Sequence, residues 1–285
     1  MRIEVPAEFW HAGNLSTRDA SRDPRQTLFK EPRVEVDMRG CNFIRPAALL
    51  WCAVYPLLAV RRGSDCTLLV PENVGTCLYL KAAGLFQLLQ ETGVSVDDRG
   101  VSDREVPQLI LPLARFCTEA DVERVANQAL DALSKAGMGS ANLYPLISEI
   151  FAELALNAVQ HAESEVGAFG LIQFYESQNG RRFVCAVADG GIGIRRSLEK
   201  NPALRDRVPY DWAAIEVAIQ EGVSGTGSKT RGIGLYGVAE DMRKEGRQLI
   251  IHSGIGMLQI TEDLESSATR TSLFPGTLTY ASIPS

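Results

Sequence analysis

Residues 46–60 read PAALLWCAVYPLLAV, without one charged side chain. A stretch of this kind must be covered from water. At 15 residues it falls short of the roughly 20 that a membrane-crossing helix needs, and Pro56 interrupts it. The reading is a buried helix of a soluble protein. A helix lying on a membrane surface is the alternative, motivated by Arg45, Arg61 and Arg62 at its ends. Composition agrees with the first reading: 285 residues, 45% hydrophobic and 22% charged, suit one large domain or two ordinary ones. The net charge of -6 argues against a general nucleic-acid-coating role, which needs an excess of Lys and Arg. None of the six cysteines pairs as C-x-x-C, so neither a zinc site nor a disulfide framework is indicated. MRIEVPAEFW has no apolar leader region, and a reduced, cytoplasmic setting is expected.

Along the chain, 1–32 is polar and mixed. VEVDM (34–38) predicts a strand, the apolar run a helix, and CTLLV (66–70) a second strand. VGTCLYLKAAGLFQLLQ is helical, broken at Gly84. The polar segment 91–106 predicts a boundary, dividing the chain into 1–105 and 106–285. Beyond it follow a strand (PQLILPL), a helix (TEADVERVANQALDALSKAG), a second helix (PLISEIFAELALNAVQHAE) and strands AFGLIQFYES and RFVCAVAD. Residues 194–231 are polar and Gly-rich near their end. GLYGVAEDMRKEG is a helix, and QLIIHSG, GMLQITED and GTLTYASI are strands. The fold class is α/β: a small alternating layer, then an α/β sandwich.

The helix before the first strand pair carries an anomaly. Glu153, Asn157 and His161 are spaced by four, so an acid, an amide and an imidazole share one face of an otherwise apolar helix. Taken alone, each reads as a solvated or packing residue. A transition-metal site is disfavoured because Asn is a poor ligand for such ions.

Three glycine patterns follow. GIGLYG (232–237) matches G-x-G-x-x-G but is preceded by the loop SGTGSKTR, not by the strand a dinucleotide site requires. GVSGTGSKT (222–230) fails as a phosphate loop, because Ser228 separates the second Gly from Lys229. Asp189-Gly190-Gly191-Ile192-Gly193 follows a strand directly, where the Asp can accept from an exocyclic amine and the glycines let backbone approach a flat ring. Alone it is an ordinary turn.

Together these features form an ordered set. Glu-x-x-x-Asn on a helix precedes Asp-x-Gly-x-Gly at a strand end. A long polar loop, Gly-x-Gly opening a helix, and Gly276-Thr277 entering the last strand follow. Over roughly 115–285 the set resembles the GHKL ATP-binding superfamily, whose members include gyrase-type topoisomerases, heat-shock chaperones, histidine kinases and anti-sigma serine kinases. The resemblance implies a Bergerat-type α/β sandwich that binds ATP and Mg²⁺. It implies that Asn157 gives its oxygen to Mg²⁺, that Glu153 is the general base, and that Asp189 reads the adenine amino group. Gly191 and Gly193 would pass the nucleotide closely, and Thr277 would close its adenine side. Residues 194–231 would form a lid ending in Ser228, Lys229, Thr230, Arg231, Gly232 and Gly234 around the phosphates.

The stretch VEVDMRGCNFIRPAALLWCAV with CTLLVPENVGTCLYLKAAGLFQLL resembles a STAS domain. Such domains are phosphorylated on a Ser or Thr opening the first helix, where this chain has Arg45-Pro46-Ala47-Ala48, so a docking or regulatory role is implied instead. The expected function is a bacterial-type, Mg·ATP-binding regulatory protein, an ATPase or ATP-driven switch acting on a protein partner. Two alternatives stand: a serine/threonine kinase of the partner-switching type, and a non-catalytic nucleotide-gated module. Homodimer formation is left open.

Overall fold

The computed structural model describes residues 1–9, 31–97, 100, 106, 108–177, 180–223, 234–244, 246–262 and 267–285. The first part contains β1 (Arg2–Glu4), β2 (Glu8–Phe9), β3 (Arg33–Asp37), β4 (Phe43–Ile44), α1 (Pro46–Arg61), β5 (Asp65–Leu69), α2 (Val74–Ala82), α3 (Leu85–Glu91) and β6 (Ser95–Asp97). The second contains β7 (Leu109–Phe116), α4 (Glu119–Ala136), α5 (Tyr144–His161), β8 (Ala168–Ser177), β9 (Gly180–Asp189), α6 (Gly193–Glu199), α7 (Asp211–Ala218), α8 (Gly234–Met242), β10 (Gln248–Thr261) and β11 (Thr269–Pro284).

Two principal sheets result, one parallel in the order β1-β3-β5-β6 and one antiparallel in the order β10-β11-β9-β8-β7. The chain is thus α/β at the level of layers, with helices between parallel strands in the first part and a largely antiparallel sheet in the second. Local chemistry sets the element ends. Pro46 opens α1 from an extended Arg45, where its missing N–H costs nothing. The Asn73 side chain caps α2 by accepting from Thr76 N at 2.9 Å. Thr118 and Asp121 form a reciprocal capping box on α4. Gly84, left-handed at φ 82, separates α2 from α3 where the sequence breaks.

Helix α1 explains its own composition. Every residue from Pro46 to Ala59 is buried. One side rests on β3 and β5, and another on β8, β9 and β11 of the second sheet. The helix is therefore wedged between two sheets, and no polar stripe is permitted. This corrects the membrane-surface alternative, since protein covers the helix on both sides. Among the described residues no helix is long and apolar enough to cross a membrane.

The antiparallel sheet is covered on both faces. Along β9, Val184, Ala186 and Ala188 join the core around α1, whereas Phe183, Cys185 and Val187 join the core around α4 and α5. Polar contacts reinforce the seam between the first part and this sheet: Tyr79 Oη of α2 donates to Gln173 Oε1 at 2.7 Å, and the guanidinium of Arg45, just before α1, lies 5.7 Å from the Tyr175 ring centroid.

Three local expectations change. β6 lies inside the segment read as a polar boundary and extends the parallel sheet beside β5. QLIIHSG and GMLQITED are one strand, β10, irregular on either side of Gly254. The described part of 194–231 is not open loop. It holds α6, a 3₁₀ turn (Pro202–Arg207) and α7, which bury Leu198, Leu204, Val208, Ala214 and Val217 against one another.

Candidate functional site

The site grows from sheet register. β10 pairs Ser253 with Thr277 of β11, and β11 pairs Leu278 with Ala188 of β9. Ser253, Thr277 and Asp189 therefore come side by side at one end of three neighbouring strands. Asp189 is 2% exposed. Its Oδ1 accepts from Gly191 N at 2.8 Å and Thr277 N at 3.3 Å. Burial pushes this carboxyl up to about 7, against the pull of those two N–H groups. No lysine, arginine or histidine side chain pairs with it among the described residues.

Glycines hold this corner closed. Gly276 adopts φ 118, and a Cβ there would stand 2.2 Å from Asp189 O. A Cβ on Gly191 would stand 1.9 Å from Ala162 O, just beyond α5. The adjacent Ile192 N donates to that same carbonyl at 2.7 Å. The loop 190–193 is thereby fastened to the end of the helix that carries the polar row. Ser164 adds a further tie, accepting from Gly190 N at 3.2 Å.

On α5, Glu153 Oε2 accepts from Gly234 N at 3.2 Å, at the opening of α8. A carboxylate suits a helix N-terminus, where backbone N–H groups lack internal partners. One turn on, the Asn157 amide nitrogen is buried and has no hydrogen-bond partner among the described residues. Such an orphan costs free energy and calls for an explanation. His161, another turn on, is half-buried; burial first and the Lys200 ammonium second hold its imidazole below the ordinary value. Lys200 itself pairs with Glu163.

The structure thus brings Glu153 to Gly234, and Asp189 to Gly191, Gly276 and Thr277, with the two groups joined through the end of α5. Gly193 borders the second group, since a Cβ there would lie 3.0 Å from Ser253 Oγ. Ser228, Lys229, Thr230, Arg231 and Gly232 lie outside the described residues. Sequence reasoning missed Ser253 and Ser164. Each is an unremarkable serine until strand register or loop closure gives it partners; the one hint for Ser253 is a Ser-Gly pair inside an otherwise apolar strand.

A cavity of about 210 Å³ adjoins the site rather than containing it. Gly190, Gly191, Gly193 and Gly276 form the shared wall, and Arg62, Arg196 and Asp211 contribute to the far side. Glu153, Asn157, Asp189 and Thr277 do not line it. The candidate site is placed where the polar row of α5, the 189–193 loop and the start of α8 adjoin, so chemistry rather than cavity size selects it. Among the described residues no group of three or more His, Cys, Asp and Glu side chains is arranged to hold a metal ion. No family model matches the chain, and no curated protein matches it.

Proposed function

We propose that the chain is a Mg·ATP-binding regulatory protein, an ATPase or ATP-driven switch whose 106–285 part resembles a GHKL domain of Bergerat type and whose 1–105 part resembles a STAS domain. The observation that carries the reading is Asp189. A carboxyl this buried, with one oxygen held by two backbone N–H groups and no cation beside it, is costly unless a ligand repays it. An exocyclic amine of a purine ring is a ligand that would do so.

The remaining residues divide the work. Asn157 lies one turn from Glu153 with its amide nitrogen unpartnered among the described residues, and its oxygen is the atom that would hold Mg²⁺. A single protein ligand suits an ion that keeps several waters and binds phosphate oxygens; when bound, it would neutralise phosphate charge. Gly234 N at the start of α8 suits a phosphate oxygen. Glu153, one turn from Asn157, is the acid that would orient an attacking water.

The 1–105 part is read as the module through which ATP acts on a protein partner. A serine/threonine kinase acting on another chain remains the second reading. The observation favouring a substrate elsewhere is that α1 opens on Arg45-Pro46-Ala47, with Arg45 packed over Tyr175.

Calorimetric titration of ATP with and without Mg²⁺, followed by phosphate release, tests the reading. Mg²⁺-dependent binding, lost in Asn157→Ala, together with turnover lost in Glu153→Ala, is expected. Absence of ATP binding by the parent protein would refute it.

A further inference from the structure

Ser253 is 2% exposed and makes three contacts, none within its own strand. Ile194 N donates to its Oγ at 2.8 Å. Gly276 O lies 3.2 Å from the same Oγ, and Thr277 Oγ1 lies 3.1 Å from it. A serine hydroxyl has one hydrogen and two lone pairs. A carbonyl can only accept, so the hydrogen of Ser253 goes to Gly276 O. Its lone pairs then take Ile194 N–H and one further donor. For all three contacts to be hydrogen bonds at once, that donor is the hydroxyl of Thr277. With its hydrogen committed to Ser253, Thr277 Oγ1 faces its surroundings as an acceptor.

Asp189 is the neighbour on the other side. Its Oδ1 is occupied by Gly191 N and Thr277 N, which leaves its second oxygen as the free acceptor. We infer that Ser253 is a positioning residue that fixes the polarity of Thr277, so that Asp189 and Thr277 present acceptors only and select a ring edge bearing an exocyclic amino group over one bearing a carbonyl. This rests on the ATP reading and adds the residue that enforces base choice. A purely structural serine would satisfy itself within its strand. This one instead ties the start of α6 to Gly276 and Thr277 of β11.

The test compares ATP with inosine triphosphate, which carries a carbonyl where ATP carries the amino group. Equilibrium binding is measured at about pH 8, where the Asp189 carboxyl, pushed up to about 7, is mostly ionised. The parent should prefer ATP by about tenfold or more, the value of one well-made hydrogen bond against a mismatched one. Ser253→Ala frees the Thr277 hydroxyl to turn, and the preference should shrink by about tenfold. Thr277→Val should shrink it similarly, and Thr277→Ser should keep it. Adding Ser253→Ala to Thr277→Val should change the ratio no further, because the serine acts through the threonine. A parent-like ratio in Ser253→Ala, or additive effects in the double variant, would overturn the inference while leaving ATP binding intact. If Ser253→Ala does not fold, an unchanged ratio in Thr277→Val overturns it equally. A parent that binds neither nucleotide refutes the ATP reading itself, and this inference with it.

Discussion

Asp189→Asn should make the protein more stable and less able to bind ATP. In the folded chain burial raises this carboxyl from 3.8 to about 7. The folded state therefore holds a proton between about pH 4 and pH 7 that the unfolded chain has released, so stability falls as pH rises through that window and the loss is complete above it. A shift of about 3 units at about 1.36 kcal/mol each amounts to a few kcal/mol at full ionisation, more than half of which develops between pH 5 and pH 8. Asparagine has nearly the same shape, and its carbonyl oxygen can still accept from Gly191 and Thr277. It carries no charge to desolvate. Urea unfolding of parent and variant at pH 5 and pH 8 measures the difference. The variant should gain stability over the parent at pH 8 and keep less of that gain at pH 5. ATP affinity should fall, because an amide N–H now faces the ligand's amino group. A variant destabilised by the same amount at both pH values would refute the reasoning, since the carboxyl would then be a net stabilising partner rather than a buried cost.

Asn157→Ala should leave stability unchanged or raise it by about 0.5 kcal/mol, because the amide nitrogen has no partner among the described residues and alanine favours helix; thermal unfolding checks this alongside the loss of ATP binding. Gly276→Ala should cost about 3 kcal/mol or more in urea unfolding and abolish binding, since its Cβ would meet Asp189 O at 2.2 Å from a backbone at φ 118. Tyr79→Phe should cost about 1–2 kcal/mol, because it strands the buried Gln173 amide at the seam between α2 and the antiparallel sheet.

The parts of this molecule that can be read from sequence are those with a local cause. The wholly apolar α1, the break at Gly84 and the capping residues of α4 are fixed by chemistry within a few positions. The polar row on α5 and the Asp-Gly-Gly turn after β9 were visible because polar groups and glycines stand out against apolar surroundings. What escaped depends on distant partners. β6 is three residues that become a strand only because β5 offers an edge. The α6 and α7 segment looked like loop because its buried residues, among them Leu198, Leu204, Val208 and Ala214, are scattered through polar sequence. Ser253 gained its meaning from pairing with Thr277, a contact 24 residues away in sequence. FVCAVA in β9 did carry an overlooked signal: apolar residues at consecutive positions mean a sheet covered on both faces, and hence that α1 had a second surface to meet.

That second surface bears on how the two parts act together. The loop following Asp189 is held between two helices. Gly191 abuts Ala162 at the end of α5, while Gly190 abuts Leu58 of α1, where a Cβ would fall 2.9 Å from Leu58 Cδ1. The same strand that ends in Asp189 gives Val184, Ala186 and Ala188 to the core around α1. No chain of intermediates is needed to connect the 1–105 part with the candidate site, because Leu58 of α1 lies directly against Gly190. Packed interiors transmit small shifts because they cannot absorb them as voids. A ligand that displaced the 190–193 loop would change its packing against Leu58 unless α1 followed. On the proposed reading, a shift of the 190–193 loop on ligand binding would be felt directly at Leu58 of α1, and that is how ATP would alter what the 1–105 part presents to a partner.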